Sequence, residues 1–165
     1  MKINLLVVDD EKEFGDVLSK RLQLQGFEVA TVFNGEEAVQ MVQKQDFDVV
    51  ILDVLMPGKS GIDTLKEIKK IKPLIQIIML TGHARIDTAI EGIELGAYDY
   101  LIKPTEIKEL VEKIRLAKTH KTAIGEQIRR AQTRGTVERY GLDKWVGSIS
   151  GLLRKRGRKK TDSDL

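Results

Sequence analysis

From residue 3 onward the chain alternates two hydrophobic patterns. Short, mostly apolar runs, at 3–8, 48–52 and 75–80, are separated by longer segments in which apolar residues recur every three or four positions. A continuous apolar run is the pattern of a strand covered on both faces. Two looser segments, 27–33 and 98–102, complete a set of five predicted strands. The periodic segments predict amphipathic helices. The first lies on Phe14, Val17, Leu18 and Leu22, with Gly26 at its C-terminal cap. The second opens on Asn34 and Glu37, a capping-box pair with Asn in place of Ser or Thr, and continues on Ala38, Met41 and Val42. A third covers 60–71 on Ile62, Leu65 and Ile68 and is stopped by Pro73. A fourth covers 87–95 and is capped by Gly96. Thr105 starts and caps a fifth, on Ile107, Leu110, Val111 and Ile114.

Five strand–helix units with short connections imply a parallel sheet with helices on both faces, a doubly wound three-layer α/β fold. In such a sheet the functional crevice lies at the carboxyl ends of the strands. Four of the five strands end there in a residue suited to phosphate or metal chemistry: Asp9-Asp10, Asp53, Thr81 and Lys103. The stretch 49–58 is the most telling, because it closes a wholly apolar run with one carboxylate and then a Pro-Gly turn. Carboxylates gathered so closely repel one another unless a cation joins them. An oxygen-only ligand set suits Mg²⁺, while a hydroxyl and an ammonium group opposite suit phosphoryl oxygens. Together these parts describe aspartyl-phosphate formation.

Over residues 1 to about 117 the chain resembles the receiver domain of two-component response regulators. The resemblance rests on Val7-Val8-Asp9-Asp10-Glu11, on Asp53-Val54-Leu55-Met56-Pro57-Gly58 with Gly61, on Thr81-Gly82-His83-Ala84, and on Gly96 through Pro104. The Thr-Gly-His and Gly-Ala-Tyr-Asp-Tyr runs look most like receivers of enhancer-binding transcription activators. The resemblance implies a flavodoxin-like (βα)5 sheet in the strand order 2-1-3-4-5. It implies that Asp53 accepts a phosphoryl group from a phosphohistidine on a sensor histidine kinase or phosphotransfer protein. Asp10, Asp53 and the Leu55 carbonyl would bind Mg²⁺, with Asp9 acting through water. Thr81, Lys103 and the Gly82 amide would hold the phosphoryl oxygens, and Lys103-Pro104 would be cis. Tyr100 would follow Thr81 inward and alter the face of helix four, strand five and helix five. Leu55 and His83 would tune the lifetime of the phospho-state. Such a protein is a phosphoacceptor switch that assists its own phosphorylation and dephosphorylation, not an enzyme acting on a small-molecule substrate.

Charge divides the chain. Residues 1–117 carry 15 Lys+Arg against 20 Asp+Glu, whereas residues 118–165 carry 13 against 5. The expected organisation is a receiver domain over 1–118 and a basic amphipathic extension over 119–165. The stripe of the fifth helix continues through Ala117, Lys121, Ile124, Ile128 and Ala131 toward Gln132, although Gly125 opposes it by ~1 kcal/mol. A helix overhanging in this way would need a partner, such as a second copy of the chain in a homodimer. A further amphipathic segment, on Leu142, Trp145, Val146, Ile149, Leu152 and Leu153, meets the basic run 154–160. That combination suits an acidic protein groove, an anionic membrane surface or nucleic acid, and equally a solvated terminus. A transcriptional regulator whose basic tail binds DNA is therefore the alternative to a switch that works through protein contacts.

Composition removes other classes. There is no cysteine, which excludes disulfide and thiol chemistry. No apolar run approaches the ~20 residues of a membrane span, and the first run meets acids where an export signal would have small residues, so a cytoplasmic location is expected. A flavodoxin-like nucleotide binder would want a Gly- or Ser-rich loop after the first strand, where Asp9-Asp10-Glu11 stands. A phosphatase of the haloacid dehalogenase type needs a second carboxylate two residues after its nucleophile, and Leu55 is there instead.

Overall fold

In the computed structural model, which describes residues 2–82 and 86–134, strands and helices alternate without exception. The order is β1 (Asn4–Val8), α1 (Lys12–Leu24), β2 (Glu28–Val32), α2 (Gly35–Lys44), β3 (Val49–Asp53), α3 (Gly61–Ile71), β4 (Gln76–Thr81), α4 (Ile86–Glu94), β5 (Asp99–Ile102) and α5 (Ile107–Thr133). The strands form one parallel sheet in the order β2-β1-β3-β4-β5. This is the flavodoxin-like topology that the alternation and the resemblance imply. Central β3 and β4 are buried at every residue, whereas edge strands β2 and β5 are only partly covered.

The two-residue period of a strand sorts the sheet's side chains into two cores. Leu6, Val8, Val50, Leu52, Ile77 and Met79 pack with α2, α3 and residues near α4. Leu5, Val7, Val49, Ile51, Ile78, Leu80 and Leu101 pack with Leu18 and Leu22 of α1 and with Leu110, Ile114 and Ala117 of α5. The inward stripe of α1 is Phe14, Leu18 and Leu22, spaced by four; Val17, expected on that face, lies to one side of it and is 54% exposed.

Helix ends follow local chemistry. Asn34 Oδ1 accepts from the Glu37 amide at 2.8 Å, and Glu37 Oε2 accepts from the Phe33 amide at 3.1 Å, one residue before the usual capping-box donor. Gly26 and Gly96 take positive φ, +94° and +116°, just past α1 and α4. The expectation for Thr105 is not met. The fifth helix starts at Ile107, its first turn is closed by the Glu106 carbonyl accepting from the Leu110 amide, and Thr105 Oγ1 has no hydrogen-bond partner among the described residues. The two-residue offset carries the hydroxyl away from the helix's free amides.

The chain divides into two units, residues 1–121 and 122–165, and α5 runs through the division. In the first unit a buried carboxylate explains why Lys121 interrupts an apolar stripe. Asp48 accepts from the Asn4 amide at 2.9 Å, Lys118 Nζ at 2.8 Å and Lys121 Nζ at 3.0 Å. Burial alone would raise the Asp48 carboxyl, but those three donors outweigh it and hold it below the usual carboxylate range. In the second unit Ile124, Ile128 and Ala131 of the continued stripe are buried. Arg129, Arg130 and Arg134 are exposed. The second amphipathic segment and the basic run 154–160 lie outside the described residues.

Candidate functional site

Strand register and side-chain phase together assemble the site. Val8 pairs with Leu52, Asp53 with Leu80, and Thr81 with Ile102, so β1, β3, β4 and β5 finish on a common edge. Leu5 and Val7 face the α1/α5 core, as do Val49 and Ile51, and Leu101. Counting on by two puts Asp9, Asp53 and Lys103 on that same face. Thr81 follows Ile77 and Met79 and belongs by phase to the other side.

The three charged groups meet. Lys103 Nζ donates to Asp9 Oδ2 at 2.8 Å and lies 3.7 Å from Asp53 Oδ2. Carboxylate oxygens of Asp9, Asp10 and Asp53 lie within 4.8 Å of one another. Asp9 is 2% and Asp53 6% exposed, whereas Asp10 is open to solvent. Asp9 Oδ1 also accepts from the Glu11 amide at 3.0 Å, and Asp53 Oδ1 from the Leu55 amide at 3.4 Å. The Lys103-Pro104 peptide is cis, and the Lys103 amide donates to the Thr81 carbonyl at 2.7 Å, joining the ends of β4 and β5.

Burial, reinforced by the charge of Asp9, pushes the Asp53 carboxyl up to about 7 against the opposing pull of Lys103. Burial alone would lower Lys103, but its hydrogen bond to Asp9 and the charges of Asp53, Asp9 and Glu11 raise it. The site therefore holds more negative charge than one ammonium group balances. Its donors are hard anionic oxygens, which fit a small divalent cation such as Mg²⁺, and such a cation would relieve the repulsion that raises Asp53.

The other residues singled out from the sequence take varied places. Thr81 is fully buried and its hydroxyl donates to the Gly82 carbonyl at 3.1 Å; Gly82 itself is exposed. Leu55 is 59% exposed beside the carboxylates. Tyr100 is half-buried against the α2/α3/α4 core and does not join the charged cluster. His83 lies outside the described residues. Phe14 was not foreseen at the site: Lys103 Nζ sits 4.3 Å from its ring centroid. Its spacing with Leu18 and Leu22 marked it only as core; the one sequence signal of a second role is an aromatic residue at the stripe's end nearest the acids.

The turn beneath Asp53 depends on Gly61. A Cβ there would lie 2.4 Å from the Asp53 carbonyl oxygen and 2.8 Å from Val54 Cα, both backbone atoms. Gly61→Ala is expected to destabilise the fold by about 1–3 kcal/mol, whereas Gly125→Ala, with open space around it, should stabilise α5 by about 0.5–1 kcal/mol. Denaturant midpoints of the two variants check both signs.

The family described as response regulator receiver domain matches residues 5–115. Transcriptional regulatory protein ZraR of Salmonella typhimurium is 39% identical over 127 residues, an alignment covering 77% of this chain and 29% of ZraR. ZraR of Escherichia coli K12 is 38% identical over 122 residues, covering 74% of this chain and 28% of ZraR. The chain thus spans under a third of the length of these relatives. Among solved structures, a response regulator receiver domain protein from Clostridium thermocellum superposes with a TM-score of 0.72 at 37% identity, covering 74% of this chain and 98% of that one. NtrX from Brucella abortus superposes with a TM-score of 0.75 at 30% identity, covering 82% of this chain and 30% of NtrX.

Proposed function

The chain belongs to the response regulator receiver family of two-component systems, and we propose that Asp53 is its phosphoacceptor. The observation that carries this reading is the convergence of Asp53, two further carboxylates and the Lys103 ammonium at the carboxyl ends of β1, β3 and β5. An Asp53 oxygen attacks the phosphorus of a phosphohistidine on a sensor kinase or phosphotransfer protein. The O–P bond forms as the N–P bond breaks, and the departing imidazole takes up a proton. Asp10, Asp53 and the Leu55 carbonyl would hold Mg²⁺, with Asp9 acting through water. When bound, the cation neutralises the carboxylates and the charge on the transferring group.

Lys103, the Thr81 hydroxyl and the Gly82 amide receive the phosphoryl oxygens. The modification adds nearly two negative charges beside Lys103, so Thr81 leaves the Gly82 carbonyl and turns toward them. Tyr100, half-buried at rest, follows into the space behind. The surface that changes is α4–β5–α5, where Ile86 and Ile90 are exposed apolar positions that offer a face to a protein partner. The result is a switch, not a turnover enzyme. A second reading, in which the basic extension binds DNA, draws on the exposed Arg129, Arg130 and Arg134 and on relatives named as transcriptional regulators. It requires duplex binding that weakens steeply with salt and strengthens when Asp53 is phosphorylated.

Phosphorus NMR of the chain with phosphoramidate and Mg²⁺ tests the principal reading. An acyl phosphate resonance should appear and vanish on adding hydroxylamine. Leu55, apolar and exposed at the mouth of the site, cannot orient a water toward the phosphorus. The resonance should therefore persist for minutes or longer after the donor is removed, and decay within seconds would refute that role.

A further inference from the structure

Among the described residues the Lys103 ammonium meets Asp9 Oδ2 at 2.8 Å, Asp53 Oδ2 at 3.7 Å and, from α1, the face of Phe14 at 4.3 Å from the ring centroid. The two carboxylates come from the sheet edge, and the ring comes from α1. Phe14, Leu18 and Leu22 form one inward stripe of that helix; Leu18 and Leu22 are buried, whereas Phe14 is only partly buried against the same core. The stripe's upper end stands where strand side chains turn from aliphatic to charged. The first turn of α1 sits low over that edge: a methyl group on Gly15 would touch Thr31, Phe33 and, at 4.0 Å, Asp9 Cβ. A leucine at position 14 would fill core as well as its two successors do. An aromatic ring adds a negative quadrupole face aimed at a partly desolvated cation.

We propose that Phe14 is a positioning residue: its ring holds the Lys103 ammonium over the gap between Asp9 and Asp53, so that the cation already stands where phosphoryl oxygens arrive. The inference rests on Asp53 being the phosphoacceptor. An unbranched lysine side chain of four methylenes surrenders much rotamer freedom when its head is fixed. The two carboxylates alone constrain that head along the sheet edge but not toward α1. The ring closes the third direction without adding a charge that would compete for the incoming group.

The test compares the full chain with Phe14→Leu, which keeps apolar volume and removes the π face, and Phe14→Tyr, which keeps the face. Two quantities are read: the proton shift of the Lys103 ε-methylene, which a ring current displaces, and the rate of labelling by phosphoramidate with Mg²⁺. Phe14→Leu should abolish the ring-current displacement and slow labelling about three- to thirtyfold, the range a cation–π contact carries, and Phe14→Tyr should restore both. Phe14→Met, which fills irregular core space, replaces the leucine variant should that one unfold. The proposal is overturned if the Lys103 shift survives Phe14→Leu, if that variant labels at the wild-type rate, or if Phe14→Tyr is equally slow. A wild type that takes no label would instead refute the phosphoacceptor reading, and the Lys103 shift would still decide whether the ring holds the ammonium.

Discussion

Lys103→Met is expected to unfold at markedly lower denaturant in the absence of metal, to bind Mg²⁺ more tightly than wild type, and to accept phosphate about a hundredfold more slowly. The first effect follows from Asp9, 2% exposed, with Lys103 Nζ at 2.8 Å as the cation paired with it. Removing one member of a buried ion pair leaves its partner's charge uncompensated, a loss of about 3–5 kcal/mol. Methionine keeps most of the apolar length of the side chain and removes only the ammonium group, so the loss is electrostatic. The second effect has the same cause with opposite sign. In the wild type a divalent cation must displace or share the ammonium at Asp9 Oδ2, and in the variant it meets free carboxylates. Saturating Mg²⁺ should accordingly restore most of the lost stability. The third effect reflects the absent donor to the transferring group, for which a loss of about 10²–10³ in rate is typical. Equilibrium unfolding with and without MgCl₂, and calorimetric Mg²⁺ titration, check the first two. An unchanged metal-free midpoint would mean that the Lys103–Asp9 pair contributes nothing.

Asp53→Asn is expected to be more stable than wild type at pH 8 in EDTA and indistinguishable from it near pH 4. The Asp53 carboxyl stands at about 7, first because it is buried and then because Asp9 is charged beside it. Unfolded, it returns to 3.8. Between those values the native state keeps a proton that the unfolded chain has released, so stability falls as pH rises through the window. At pH 8 the accumulated penalty is on the order of a few kcal/mol. Asparagine has no proton to lose, and the stability of the variant should lack this decline. Added Mg²⁺ should stabilise the wild type more than the variant, because it relieves a repulsion the variant no longer has. Parallel stability–pH curves for the two proteins would contradict this account of the site's electrostatics.

Much of this arrangement is legible in the sequence. Asp9, Asp53 and Lys103 share a strand face because each stands an even number of residues beyond side chains of the α1/α5 core, and period-two phase survives in any parallel sheet. The buried runs of β3 and β4 carry their own length, so their ends, and hence the carboxylate and the threonine, were placed within a residue. What failed depended on geometry that periodicity does not encode. Val17 satisfies helical spacing, yet the buried face of α1 runs through Gly15, Leu18, Ser19 and Leu22 and leaves it to one side. Thr105 matches a cap in composition, but the turn after the cis peptide delays the helix to Ile107. Lys121 continues the stripe of the fifth helix by spacing alone, and only the fold brings it to Asp48, 73 residues away. Phe14 was legible as core and not as a contact of Lys103, because the pair lies 89 positions apart and meets only through the fold.

The most direct test of the central claim is the intact mass of the full chain after incubation with phosphoramidate and Mg²⁺, compared with Asp53→Ala treated alike. One added phosphoryl group in the wild type and none in the variant is the predicted result. The same gain in both proteins, or no gain in either, would contradict the assignment of Asp53 as phosphoacceptor.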